Sequence, residues 1–247
     1  MMLTILFLGV FLTGIVSEFF IKKIAHYKGL IISYSVSVVL SLICIHILPE
    51  LFSNNNQSVI GYYILIGFLI QIFLELLSKG IEHGHIHVHG KINNQQLIII
   101  ILGLVIHSLL EGIPLSYEQN NQHIHVHDTV NKNNFSLVYF LMILIHKLPI
   151  AAVLMFFLNT LKVKGIKKYS ILFIFAVTTP LGAIFGGNLS EIPLFNDWSI
   201  NFLAISTGML LHITTLLIFE NHNKGNKLKN ILTISAGMIT GFLLFSF

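Results

Sequence analysis

The feature that most restricts this chain is a series of eight long apolar runs, at residues 2–21, 30–50, 59–78, 96–118, 135–161, 169–187, 199–219 and 230–247. Crossing a bilayer as a helix takes about 20 mostly apolar residues, and each run has roughly that length. Lipid offers no hydrogen bonds to a backbone, and a helix satisfies its own N–H and C=O groups within one segment. Hydrophobic residues make up 55% of the 247 residues and charged residues only 10%, against roughly 25% charged in a soluble domain. One soluble core could not enclose so much apolar surface. Disorder, a disulfide scaffold and a coiled coil are excluded by the same figures. The expected fold is an all-α membrane protein of eight transmembrane helices, forming one polytopic domain over 1–247. The first run lacks a cationic leader and a small-residue cleavage site, so it is expected to be retained.

Orientation follows from the lysines. The 14 cationic residues are all Lys, which removes any arginine fork for phosphate or nucleic acid. Twelve of them fall between runs 1 and 2, 3 and 4, 5 and 6, or 7 and 8, whereas only Lys132 lies in a connection on the opposite side. The positive-inside rule then makes the lysine-rich connections cytoplasmic and both termini external. The longest connections are a cytoplasmic one at 79–95 and an external one at 119–134. The single cysteine, Cys44, forms no internal disulfide.

Ionisable side chains at membrane depth cost about 2.5–3.5 kcal/mol each on insertion scales, so they are rare and usually functional. Here they concentrate in three runs. The second ends His46-Ile-Leu-Pro49-Glu50, the fourth carries His107-Ser108-Leu-Leu-Glu111-Gly112-Ile-Pro114, and the fifth carries His146-Lys147-Leu-Pro149. Four residues apart, His107 and Glu111 lie about 40° from each other on one helix face. That spacing suits two ligands of one ion, with His146 reaching in from a facing helix. A His/Glu/His set with open positions fits Zn²⁺ or Fe²⁺ better than Mg²⁺ or Ca²⁺. His46 and Glu50 repeat the four-residue spacing and are expected to add a ligand or line the approach. Ser108 and Lys147 stand beside the ligands and are expected to tune the site.

Each of these runs also has a proline three residues after one of those groups. Proline removes the bond to the carbonyl four residues back, which frees the carbonyls of Ile45, Leu110 and Ile145. Opened backbone at membrane depth is tolerated where it lines a cavity, and broken helices mark substrate sites in transporters. A lone intramembrane His is more often an interhelical hydrogen-bonding residue than a ligand, and that is the expectation for His212. Glu18, Glu75 and Glu220 lie near run ends and are expected to reach the interface.

These residues resemble the ZIP (Zrt/Irt-like protein) family of divalent metal transporters. The most specific match is His107-Ser-Leu-Leu-Glu111-Gly112; His46-Ile-Leu-Pro49-Glu50 and Pro180-Leu-Gly182 also look family-like. The resemblance implies a 3+2+3 arrangement, helices 1–3 and 6–8 being inverted repeats around helices 4 and 5. It implies a primary transport site at His107, Glu111 and His146. Many members carry a carboxylate where Lys147 stands, and many a His or acid where Ile150 stands. Their absence here implies a single-metal site.

Two tracts of His-Ile-His-Val-His occur. One comprises His85, His87 and His89, preceded by His83, and the other His123, His125 and His127. In an extended segment the alternation puts the imidazoles on one side, and such tracts are a compositional signal of metal capture.

The expected activity is transport of a divalent transition ion, zinc foremost, toward the cytoplasm by alternating access. The protein is expected to be multi-pass in the plasma (inner) membrane and not an enzyme, with Zn²⁺ as substrate and no catalytic cofactor. Its expected partners are divalent ions and the bilayer, with a homodimer allowed and no nucleic acid. Imidazole binds metal only when neutral, so uptake is expected to fall in acid. The rival reading is an intramembrane metal-dependent hydrolase using the same ligands to activate water. It lacks an H-E-x-x-H sequence and a further Asp or Ser beside the site. A haem protein with paired axial His would be coloured.

Overall fold

A computed structural model describes residues 1–53, 57–78, 94–116, 132–190, 192, 198–222 and 227–245. Its eight long helices are α1 Met2–Phe19, α2 Ile21–Leu42, α3 Gln57–Ser78, α4 Asn94–Gly112, α5 Lys132–Thr160, α6 Ile166–Ser190, α7 Ser199–His222 and α8 Lys227–Phe245. α2 continues through a π-helical turn, Ile43–Ile47, into a short helix, Leu48–Ser53, and α4 tightens into a 3₁₀ turn, Ile113–Ser116. No strand occurs among the described residues. Seven helical stretches are long and apolar enough to cross a membrane. α8 has 19 residues, opens with Lys227, Lys229 and Asn230, and covers the eighth apolar run. The all-α membrane architecture is therefore borne out.

One boundary differs markedly from the sequence expectation. α2 starts at Ile21, nine residues before its apolar run, so Lys22, Lys23 and Lys28 sit on helix rather than in a loop. Apolar content reports where lipid begins, but Lys, Ala and Ile continue a helix readily beyond that point.

The main helix pairings are α3 with α7, α2 with α8, α4 with α6, and α1 with α5. Inside lipid there is no hydrophobic drive between helices, and close packing through small residues takes its place. A Cβ on Gly67 would strike the Ile205 carbonyl, and one on Gly208 the Ile64 carbonyl, so α3 and α7 meet through a notch on each side. α4 and α6 do the same through Gly112 and Gly182, which lie on the backbones of Thr179 and Leu109. Outward faces carry large apolar side chains such as Leu8, Leu12, Leu65, Leu69, Phe173 and Leu243. Buried polar groups collect inside, among them Gln71, His107, Ser108, Glu111, His146 and Lys147.

α5 ends in a tight reversal. Val163 N–H donates to Leu158 O at 2.9 Å and Lys162 N–H to Asn159 O at 2.9 Å, with Lys162 at φ 57°. This is the six-to-one closure of a helix C-terminus, with lysine where glycine is usual. The reversal brings α6 back so that Lys168 donates to Asn159 Oδ1 at 3.1 Å and also to Glu18 of α1. Tyr169 donates to the other oxygen of Glu18 at 2.9 Å. Glu18 is thus a partner in a knot joining three helices, not a side chain simply reaching the interface.

Candidate metal centre

α4 brings its two polar groups together because they stand one turn apart on its buried face. Pro114 lacks the N–H that would bond to Leu110 O, and the helix gives way to the 3₁₀ turn at Ile113. The carbonyl of Glu111 is braced by Tyr139 of α5, whose hydroxyl donates to it at 3.0 Å and lies 2.7 Å from Ser206 Oγ of α7. Thr179 of α6 donates to the Ser108 carbonyl at 3.1 Å. Pro149 lies inside α5, and the Ile145 carbonyl it frees accepts from Ser35 Oγ of α2 at 2.7 Å. Before Pro49 the backbone widens into the π-helical turn holding His46, a form frequent at functional sites.

His107, Glu111 and His146 each offer a ligand atom lying within 4.8 Å of the other two. Their exposures are 0%, 1% and 2%. The two imidazole rings are 6.2 Å apart at an interplanar angle of 72°, and His107 Nε2 is 3.8 Å from Glu111 Oε2. Ligands of a tetrahedral zinc lie about 3.3 Å from one another, given bond lengths of about 2.0–2.1 Å. The three groups are therefore close to the separation an ion requires. Glu111 Oε1 is buried with no hydrogen-bond partner. A carboxylate oxygen in that condition is costly unless something cationic visits it.

Lys147 completes the arrangement. Its ammonium donates to Ser108 Oγ at 2.8 Å, lies 3.1 Å from Glu111 Oε2, and sits 4.6 Å from the centre of the Phe175 ring. Lys147 and Ser108, which the sequence placed beside the ligands, are thus in contact with each other, and Lys147 is in contact with Glu111. The one acidic group of the cluster thus has a lysine side chain directly against it.

Other groups fall elsewhere. His46, half-buried, and Glu50, exposed, are not part of the three-residue cluster. His83, His85, His87, His89, His123, His125 and His127 lie outside the described residues. His212 pairs across helices with Glu75 of α3, Nε2 to Oε2 at 2.8 Å. Glu75 therefore does not simply reach toward the interface. Sequence reasoning missed Gln71, whose Oε1 lies 2.8 Å from His107 Nδ1. The signal was present, since Gln71 is a strongly polar residue in the middle of the third apolar run.

Beside His146, a cavity of about 10 Å³ is lined by that residue and by Ile32, Ser35, Pro149, Val153 and Leu217 among others. That volume admits about one water. Ile32, Pro149 and Val153 also border a wider groove of about 360 Å³ between α1, α2 and α5.

No curated protein matches the chain. The sequence model described as ZIP Zinc transporter matches residues 88–247, which include both histidines and the glutamate of the cluster. With that match over more than half of its length, and with apolar helices to hold it in a membrane, the chain belongs to the ZIP zinc transporter family, whose members move divalent metal ions.

Proposed function

We propose that this protein carries zinc, or a closely similar divalent transition ion such as iron, toward the cytoplasm through one intramembrane site made by His107, Glu111 and His146. The observation that carries the reading is the convergence of two imidazoles and a carboxylate, each at most 2% exposed, with ligand atoms within 4.8 Å of one another. A bare divalent ion cannot enter a low-dielectric interior unless ligands replace its hydration shell. Two neutral imidazoles and Glu111 supply three of those ligands, and water completes the shell. Lys147 stands where a second cation would otherwise sit, held by Ser108, and limits the site to one ion. His46 and Glu50 line the external approach, and the two His tracts capture metal at the cytoplasmic 79–95 and external 119–134 connections.

The ion reaches each side in turn as helices move around the site. On the external side the route is closed by Tyr139, Ser206 and the Glu111 carbonyl. On the cytoplasmic side it continues past His146 through the cavity at Pro149 and Val153. The 3+2+3 arrangement is supported by the helix pairings. Exchanging helix 1 with 6, 2 with 7, 3 with 8 and 4 with 5 turns the α3·α7 pair into α8·α2, and the α4·α6 pair into α5·α1. Both termini are external, and the chain is one polytopic domain in the plasma (inner) membrane, with a homodimer allowed.

Zinc flux into proteoliposomes holding only this protein tests the reading. Saturable, protein-dependent influx is the expected result. Hydrolytic activity without flux would favour the intramembrane hydrolase.

A further inference from the structure

Gln71 is fully buried in α3, inside a run where a polar side chain is costly. Its side-chain oxygen lies 2.8 Å from Nδ1 of His107, which is also fully buried. An amide oxygen only accepts, so this contact is a hydrogen bond when Nδ1 carries the imidazole proton, which leaves the lone pair on Nε2. Nε2 is the atom turned to Glu111, at 3.8 Å. The contact depends on how closely α3 and α4 approach. One turn before His107, a Cβ on Gly103 would lie 3.1 Å from Leu77 Cβ and 3.1 Å from the backbone nitrogen of Ser78. Because the helices run antiparallel, the glycine that lets Leu74–Ser78 come near also sets Gln71 opposite His107.

We propose that Gln71 is a positioning residue for the metal site, holding His107 in the Nδ1-protonated tautomer so that Nε2 faces the ion. This rests on the reading of His107 as a ligand. Ligand histidines commonly donate their other N–H to an orienting acceptor, often a carboxylate that raises their basicity. Here the acceptor is a neutral amide. The cluster's acidic residue, Glu111, already has Lys147 against it, 3.1 Å away. An uncharged acceptor therefore orients His107 without adding a second negative charge, which suits a site that must release its ion on each cycle. A carboxylate in the same place would hold the ion longer.

The test uses the full chain with Gln71→Leu and Gln71→Glu, each also made in a His107→Ala background. Zinc affinity is measured by calorimetry in detergent and transport by flux into proteoliposomes. Gln71→Leu is expected to weaken mid-membrane binding about tenfold and to raise KM, as loss of an orienting partner does. Gln71→Glu is expected to tighten binding, and to lower KM and maximum rate together as release slows. In the His107→Ala background neither substitution should change affinity. Affinity shifts in the same direction for both variants, or shifts that persist without His107, overturn the proposal. An unchanged zinc affinity in His107→Ala alone overturns the ligand reading and the proposal with it. Nitrogen-15 NMR of ion-free wild type gives a readout that needs no altered Gln71. Signals lost in His107→Ala should be those of an Nδ1-protonated ring, and an Nε2-protonated ring there refutes the role of Gln71.

Discussion

Lys147 Nζ lies 3.1 Å from Glu111 Oε2, with both side chains only 1% exposed, so the acidic group beside the two histidines has a buried lysine packed against it. Lys147 further donates to Ser108 at 2.8 Å and faces the Phe175 ring at 4.6 Å, which accounts for a charge that would otherwise be costly in lipid.

If Lys147 takes the place of a second ion, reversing its charge should open that place. With both His tracts deleted so that only mid-membrane metal is counted, wild type should bind one zinc. Lys147→Glu should bind more, as read by calorimetric stoichiometry in detergent. Unchanged stoichiometry in a folded variant contradicts this role.

Breaking the pair from one side should cost stability as well as transport. Glu111→Gln leaves Lys147 buried without its counter-charge, a loss of about 3–5 kcal/mol for a buried pair. Adding Lys147→Met should restore most of the melting temperature in detergent while leaving zinc flux absent. Recovery of flux by the double variant would show that Glu111 is a structural partner and no ligand.

Two glycines should respond oppositely to a methyl group. A Cβ at Gly112 would run into the Thr179 carbonyl and come within 3.2 Å of Ala183 N, whereas one at Gly61 meets nothing within 4 Å. Gly112→Ala should therefore lower stability by about 1–3 kcal/mol through forced separation of α4 and α6. Gly61→Ala should leave it unchanged or raise it by up to about 1 kcal/mol through helix propensity. Thermal denaturation of the two variants checks the pair.

The lysine distribution makes a prediction about sidedness. Single cysteines at Asn55 and Asn121, in a background lacking Cys44, should react with an impermeant maleimide applied to intact cells. One at Asn226 should not. Labelling at Asn226 would reverse the orientation.

Much of this molecule was legible as local pattern. Helices announce themselves by apolar length, because the solvent is lipid and each helix closes its own hydrogen bonds. His107 and Glu111 could be paired from a spacing of four, since one turn of one helix fixes their relation. What was not legible is what crosses between helices. Glu75 and His212 are 137 residues apart and Glu18 and Lys168 are 150 apart, and no spacing within one helix names the partner of any of them. Gln71 joins His107 across 36 residues because of a glycine notch on α4, and only packed backbones reveal that reach. The start of α2 escaped for a different reason, since hydropathy marks the membrane boundary and not the end of a helix.

The central claim is that the transported ion passes through His107, Glu111 and His146, and zinc flux into proteoliposomes tests it on these residues. Wild type should give saturable uptake. His107→Ala, Glu111→Ala and His146→Ala, each reconstituted at equal folded amounts, should abolish it, while His212→Ala should retain it. Wild-type uptake by a His107→Ala, His146→Ala double variant would contradict the account.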